Sequence, residues 1–326
     1  MLAIIMLTIL MGLAVGWSIG ANDAANSLGT AVGSKVLNLK QAIILICVFG
    51  FLGAFLQGSY VTKTIGRGIV PMNILSKDAT TYIALVASFG ACAWVVLATY
   101  WKMPISTSHS IVGAVAGAGL AIHAPVKWKA LIDIFICWIF TPLGAAVLGY
   151  LLYIIFKNTL YAIIPRKYFR GIMSVLIIIS GCYVAYTWGA NDVANSVGVL
   201  VGANILSAHM SIILGGIAIV AGIMTWGYKV IETIGSEITQ LLPIMAFSAQ
   251  LASAINVHIY TLFGIPVSTS HSIVGAIFGV GLVRGVKVVN VRIIREIVTC
   301  WLLTPFISGI ITFLTLKTIM IFVKIV

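Results

Sequence analysis

Residues 1–27 read MLAIIMLTILMGLAVGWSIGANDAANS. Positions 1–19 carry no charged side chain, and about 20 apolar residues are enough for a helix to span a bilayer. Asn22, Asp23, Asn26 and Ser27 follow at once. A carboxylate and two amides at that depth are costly unless something compensates them. The run has no basic start and no obvious cleavage site, so it reads as a membrane segment rather than a removable leader. Residues 189–196, GANDVANS, then repeat the polar motif.

The rest of the chain agrees with that beginning. Of 326 residues, 61% are hydrophobic and 8% charged, with mean hydropathy +1.16. A soluble domain carries about 25% charged residues. Asp, Glu, Lys and Arg are missing from 79–101, 134–156, 171–191, 193–228, 238–283 and 297–316. The expected fold class is therefore all-α, a polytopic membrane protein of about 10–12 spanning or half-spanning helices. The net charge of +12 fits basic residues flanking the spans and meeting anionic headgroups. No polar domain interleaves basic and aromatic residues, so a nucleic-acid partner is not expected. Cys47, Cys92, Cys137, Cys182 and Cys300 lie scattered in apolar runs, which suits neither a disulfide framework nor a zinc site.

An internal repeat organises the sequence. Asp23 and Asp192 are 169 apart, as are the TIG triplets at 64–66 and 233–235. PISTSHSIVGA at 104–114 returns as PVSTSHSIVGA at 266–276, 162 apart, and CWIFTP at 137–142 returns as CWLLTP at 300–305, 163 apart. The first copy's extra length falls around GIVPMNILSKDA, a loop-like stretch. The expected division is 1–156, a short basic linker 157–170, and 171–326. Lys157, Arg166, Lys167 and Arg170 place the linker in the cytoplasm. The basic stretch 284–295 is richer than its counterpart near Lys127 and Lys129. This predicts oppositely inserted copies, an odd number of crossings in each, and both termini outside.

The repeated motifs carry the chemistry. Ser and Thr after a proline, ahead of a short apolar run, read as the capped N-terminus of a half-membrane helix. Such an end has free N–H groups and a dipole that favours anions. His109 and His271 read either as core histidines or as functional ones. In GANDxANS, Asp offers a carboxylate and Asn both an acceptor and a donor, which suits a hard cation beside an anion. Gly20 and Gly189 are expected to permit a helix break at this point. A polar clamp between helices is the alternative.

GANDAANS, GANDVANS, PISTSHS and PVSTSHS, duplicated within one chain, resemble the inorganic phosphate transporter (PiT) family, and the likeness covers nearly the whole chain. The resemblance implies two inverted repeats and a secondary symporter of inorganic phosphate coupled to sodium, in the plasma membrane. It implies anion contacts from Asn22, Asp23, Ser106, Thr107, Ser108, Asn191, Asp192, Ser268, Thr269 and Ser270. Cation ligands would be Asp23, Asn26, Asp192, Asn195, Thr107 and Thr269. Sodium is then cargo, no resident cofactor and no catalytic residue are expected, and a homodimer is left open. Relatives often have glutamate where this chain has Gly50 and Gln250, which bears on the coupling ion. The alternatives are sulfate transport and proton coupling. A Ser–His–Asp hydrolase needs one nucleophile, whereas every polar feature here occurs twice. A passive channel needs a continuous pore. No nucleotide-binding G-x-x-x-x-G-K-[ST] motif is present.

Overall fold

The computed structural model describes residues 1–101, 103, 105–227, 242–283 and 291–325, with backbone only at 291–297. Pro104, the second TIG triplet and the basic residues 284–290, Lys287 among them, lie outside the described residues. The described chain is helical, without strands, which agrees with the all-α expectation.

The first half contains α1 (Leu2–Asp23), α2 (Ala25–Gly33), α3 (Leu39–Gln57), α4 (Ser59–Lys63), α5 (Lys77–Tyr100), α6 (Thr107–Ala121) and α7 (Trp128–Ile163). The second contains α8 (Arg166–Gly202), α9 (Ala208–Gly222), α10 (Pro243–Leu262), α11 (Thr269–Leu282) and α12 (Val291–Phe322). Among the described residues, seven helical segments are long and apolar enough to cross a membrane. Helices α6 and α11, with 15 and 14 residues, are shorter than a full span. A π-helical turn follows α4 (Thr64–Gly68) and another follows α9 (Ile223–Gly227). Residues 69–76, the surplus of the first copy, form a loop with one 3-10 turn at Met72–Ile74.

Helix starts are set by side-chain caps. Asn38 and Gln41 make a reciprocal capping box at α3, and Ser207 caps the corresponding α9. Ser76 caps α5, and Pro243 occupies the first turn of α10, where its missing N–H costs nothing. The expected linker 157–170 is mostly helix: α7 continues to Ile163 and α8 starts at Arg166. Only Ile164 and Pro165 break the run, because proline's ring lacks an N–H and pushes the preceding residue out of helical geometry.

Packing exchanges the two halves. Helix α6 lies against α12, and α11 lies against α7. Helix α1 meets α9 and α5, while α8 meets α3 and α10. Helices α1 and α8 run antiparallel through the centre. A Cβ on Gly12 would meet Leu200 at 2.8 Å, and one on Gly16, a turn later, would meet Ser196, a turn earlier, at 3.3 Å. Backbone-to-backbone contact replaces the expected helix breaks. Gly20 lies on the Ile219 carbonyl and Gly189 on the Gly50 carbonyl, and α8 runs unbroken through its motif. In the first half the interruption is a single residue, Ala24, still in helical geometry. A side chain at either glycine would push the helices apart, so the glycines serve close approach.

The surface is inside-out relative to a soluble protein. Leu10, Ile44, Ile139, Leu302 and Phe306 are exposed, whereas Asp23, Asp192 and Asn195 are buried. Lipid, being as apolar as leucine, leaves the outer leucines and isoleucines unpenalised. Near one end, Arg67 donates to Asn204 at 2.6 Å, Lys127 to the Arg67 carbonyl at 3.1 Å, and Lys317 approaches His123 at 3.4 Å. The end of α8, the start of α7 and the end of α12 therefore share one face of the molecule. The α7–α8 corner lies at the opposite face.

Candidate functional site

Thr107 and Thr269 are the first residues of α6 and α11, and each half-helix is capped by the serine before it. Ser106 accepts the His109 N–H and Ser268 the His271 N–H, both at 3.2 Å. The cap fixes the next two hydroxyls at the helix end. Those hydroxyls meet the motifs of α1–α2 and α8.

Asp23 is held from both halves, and Asp192 chiefly from its own. Asp23 accepts from Thr107 of its own half at 2.9 Å and from Ser270 of the other half at 3.3 Å. Asp192 accepts from Thr269 of its own half at 3.3 Å and lies 3.5 Å from Ser108 of the other. That last contact is at the limit of a hydrogen bond, because Ser108 has one proton and a nearer acceptor in the Val267 carbonyl at 2.9 Å. Asn26 donates to Ser270 at 2.8 Å, and Asn195 to Ser108 at 2.9 Å. Each amide also reaches the acid three residues before it. Both acids are 1% exposed. Among the described residues, every group bonded to them is neutral, a hydroxyl or an amide.

Ten of the twelve positions singled out by motif thus meet at one centre or cap the helices that enter it. Asn22 and Asn191 point elsewhere. Asn22 donates to Thr99 at 2.7 Å and Asn191 to Thr261 at 2.9 Å. Asn191 also bonds the Ile265 carbonyl and the Val267 N–H, so it fixes the loop that leads into α11. In this arrangement these two asparagines bond neighbouring helices and the loop before α11, not the acids.

Sequence reasoning missed the ring cluster behind the hydroxyls. His109 stacks on Trp138 and His271 on Trp301, with centroids 3.6 Å apart in each pair. The two imidazoles meet edge to face at 4.5 Å. His109 Nδ1 bonds the Trp301 carbonyl at 3.0 Å, and His271 Nδ1 the Trp138 carbonyl at 3.3 Å. A carbonyl only accepts, so each Nδ1 carries the proton. The histidines thereby rivet the half-helices to α7 and α12 of both halves. The available signal was the repeated tryptophan of CWIFTP and CWLLTP.

Two buried acids, two amides and four hydroxyls, brought together by short helices inside a membrane-spanning bundle, define a polytopic carrier with a polar centre. Comparison with known proteins narrows the class. Residues 19–312 match the phosphate transporter family, and the chain belongs to that family. A Pyrococcus furiosus protein assigned as a phosphate permease is 31% identical over 97% of this chain and 96% of its own. The chloroplastic inorganic phosphate transporter 2-1 of Arabidopsis thaliana is 29% identical over 84% of this chain and 65% of its own. The solved structure of a sodium-dependent phosphate transporter superposes with TM-score 0.90 at 28% identity, covering 98% of this chain and all of that one. The protein is a multi-pass phosphate transporter and not an enzyme.

Proposed function

We propose that the chain is a sodium-coupled symporter of inorganic phosphate working by alternating access, with both ions held at the Asp23–Asp192 centre. The observation that carries this reading is the proton count of the hydroxyls. Thr107, Thr269 and Ser270 each own a single proton, and each directs it to a carboxylate. A hydroxyl so committed cannot donate to an anion. A cation on the carboxylates, with oxygens of Asn26, Asn195, Thr107 and Thr269 as further ligands, takes over the charge and frees those protons. The hydroxyls and half-helix N-termini then present donors to phosphate. Cation binding thus creates the anion site, which is the thermodynamic content of coupling.

Phosphate keeps at least one proton at neutral pH and sulfate none. A carboxylate nearby rewards the donor and repels the aprotic dianion. Purified protein in liposomes should take up labelled phosphate at least ~10-fold faster under an inward sodium gradient than under a proton gradient, with sulfate a poor competitor. The ratio corresponds to about 1.4 kcal/mol of preference. Uptake driven equally by protons alone would assign the acids to proton coupling. Full competition by sulfate would remove the donor argument.

The proposed scaffold is two inverted repeats, 1–156 and 171–326, in the plasma membrane. The antiparallel run of α1 and α8 and the exchanged packing of the halves support it. Lys40 and His209, 169 apart, are exposed at the starts of α3 and α9. The linker charge assigns the α7–α8 corner to the cytoplasm, with both termini outside. In a background without the five native cysteines, cysteine at 209 or 127 should react with an impermeant maleimide in intact cells. Cysteine at 40 or 167 should react only after lysis. Labelling of 40 and 209 from the same side would contradict inversion.

A further inference from the structure

Gln250 sits on α10, fully buried, away from the two acids' own bonds. Its Nε2 donates to the Ser27 carbonyl at 3.2 Å and to Thr30 Oγ1 at 2.6 Å, both on α2. Its Oε1 accepts from Ser180 of α8 at 2.7 Å. The amide's orientation follows from chemistry, since the Ser27 carbonyl can only accept and the atom facing it must be nitrogen. Two oxygens of α2, a carbonyl and a hydroxyl, therefore face the amide nitrogen, while the Ser180 hydroxyl of α8 gives its proton to the amide oxygen. These are the hard ligands an alkali cation takes. Gly181 leaves the room, because a Cβ there would lie 3.2 Å from Nε2.

The matching position of the first half, 162 residues earlier, is Ser88. It is fully buried, with its hydroxyl unpartnered, and it is too short to bridge. The short helices and acids make paired contacts, whereas among the described residues this bridge occurs once. It ties the helix that carries Asn26 to α8 and α10.

We propose that the amide nitrogen of Gln250 occupies a built-in cation site, doing permanently what a bound monovalent cation would do, so that α2 is locked without an ion. The two N–H groups stand in for positive charge toward Ser27 and Thr30. A carboxylate at 250 could accept from the Thr30 hydroxyl but would face the Ser27 carbonyl with no proton to offer, and would recruit a cation there. The proposal takes its meaning for transport from the sodium-coupled reading, but its test does not use transport.

Wild type, Gln250→Glu, Gln250→Met and Gln250→Ser are purified in sodium chloride and exchanged, free of phosphate, into sodium or choline chloride at equal ionic strength. Thermal unfolding is then followed. Gln250→Glu should lose stability in choline and recover it in sodium, with a sodium-dependent rise in Tm exceeding that of wild type by roughly 5 °C. Gln250→Met removes the ligand oxygen and should be destabilised with no sodium response beyond wild type's. Should Gln250→Glu fail to purify, Gln250→Ser serves, because its hydroxyl and the vacated volume leave four oxygens for sodium, and it too should exceed wild type's response. A sodium response equal to wild type's in both the Glu and Ser variants overturns the proposal, as does an equal gain in the Met variant. The phosphate-induced Tm shift of wild type is recorded separately. Its absence would count against the transport reading and leave the Gln250 comparison intact.

Discussion

Asp23→Asn and Asp192→Asn are each expected to abolish coupled phosphate uptake, by about 100-fold or more, while the protein inserts and purifies as before. The substitution keeps shape and removes the charge. It also places an amide N–H where Thr107 or Thr269 now donates, so donor meets donor. A hydrogen bond to a charged group contributes about 1.5–3 kcal/mol, roughly 10- to 150-fold each, and each acid engages more than one neutral donor. Because each acid accepts from the threonine that opens its own half's short helix and from the amide three residues on, the two variants should fail alike. Uptake rates in liposomes provide the check, and a parental rate in either variant would remove the cation assignment from that acid.

Gly113→Leu and Gly275→Leu are expected to prevent folding or to lower Tm steeply. A Cβ on Gly113 would lie 2.6 Å from Pro305 Cα, and one on Gly275 would lie 2.7 Å from Pro142 Cα. Both neighbours are backbone and cannot rotate away. Overpacking a core costs about 1–3 kcal/mol where side chains can adjust, and here whole helices must part. These contacts seat each half-helix on the long helix of the other half, so separation also pulls the hydroxyls from the acids. Gly171→Leu is the matched comparison, since nothing lies within 4 Å of its Cβ position. Size-exclusion profiles and Tm in detergent report the outcome. Parental behaviour of both half-helix variants would mean that these close contacts do not hold the halves together.

The motif glycines show where sequence reasoning errs. Gly20 and Gly189 suggested breaks because glycine is permissive and the motifs are polar. The backbone stays helical through both, since lost helix propensity is small, about 1 kcal/mol per glycine, beside the packing gained where a neighbouring helix touches the glycine itself. The basic stretch 157–170 shows a different limit. Its charges speak to composition alone, whereas helix continuation is decided by the backbone, which breaks only at Ile164 and Pro165.

The sequence by itself determined the membrane class, the duplication, the short capped half-helices and most of the polar centre. Each of these rests on local rules: hydropathy over about 20 residues, capping within one turn, and recurrence at a constant offset. Tertiary structure alone decided which hydroxyl meets which acid. Thr107 and Ser108 are adjacent, yet one faces Asp23 and the other lies toward Asp192, because neighbours on a helix point about 100° apart and the other half arrives between them. It likewise paired Asn22 with Thr99 and Asn191 with Thr261, placed His109 and His271 against each other, and gave Gln250 three partners from distant helices. Such pairings depend on the register between helices 70 to 247 residues apart, which close packing of glycine against backbone sets and no local pattern encodes.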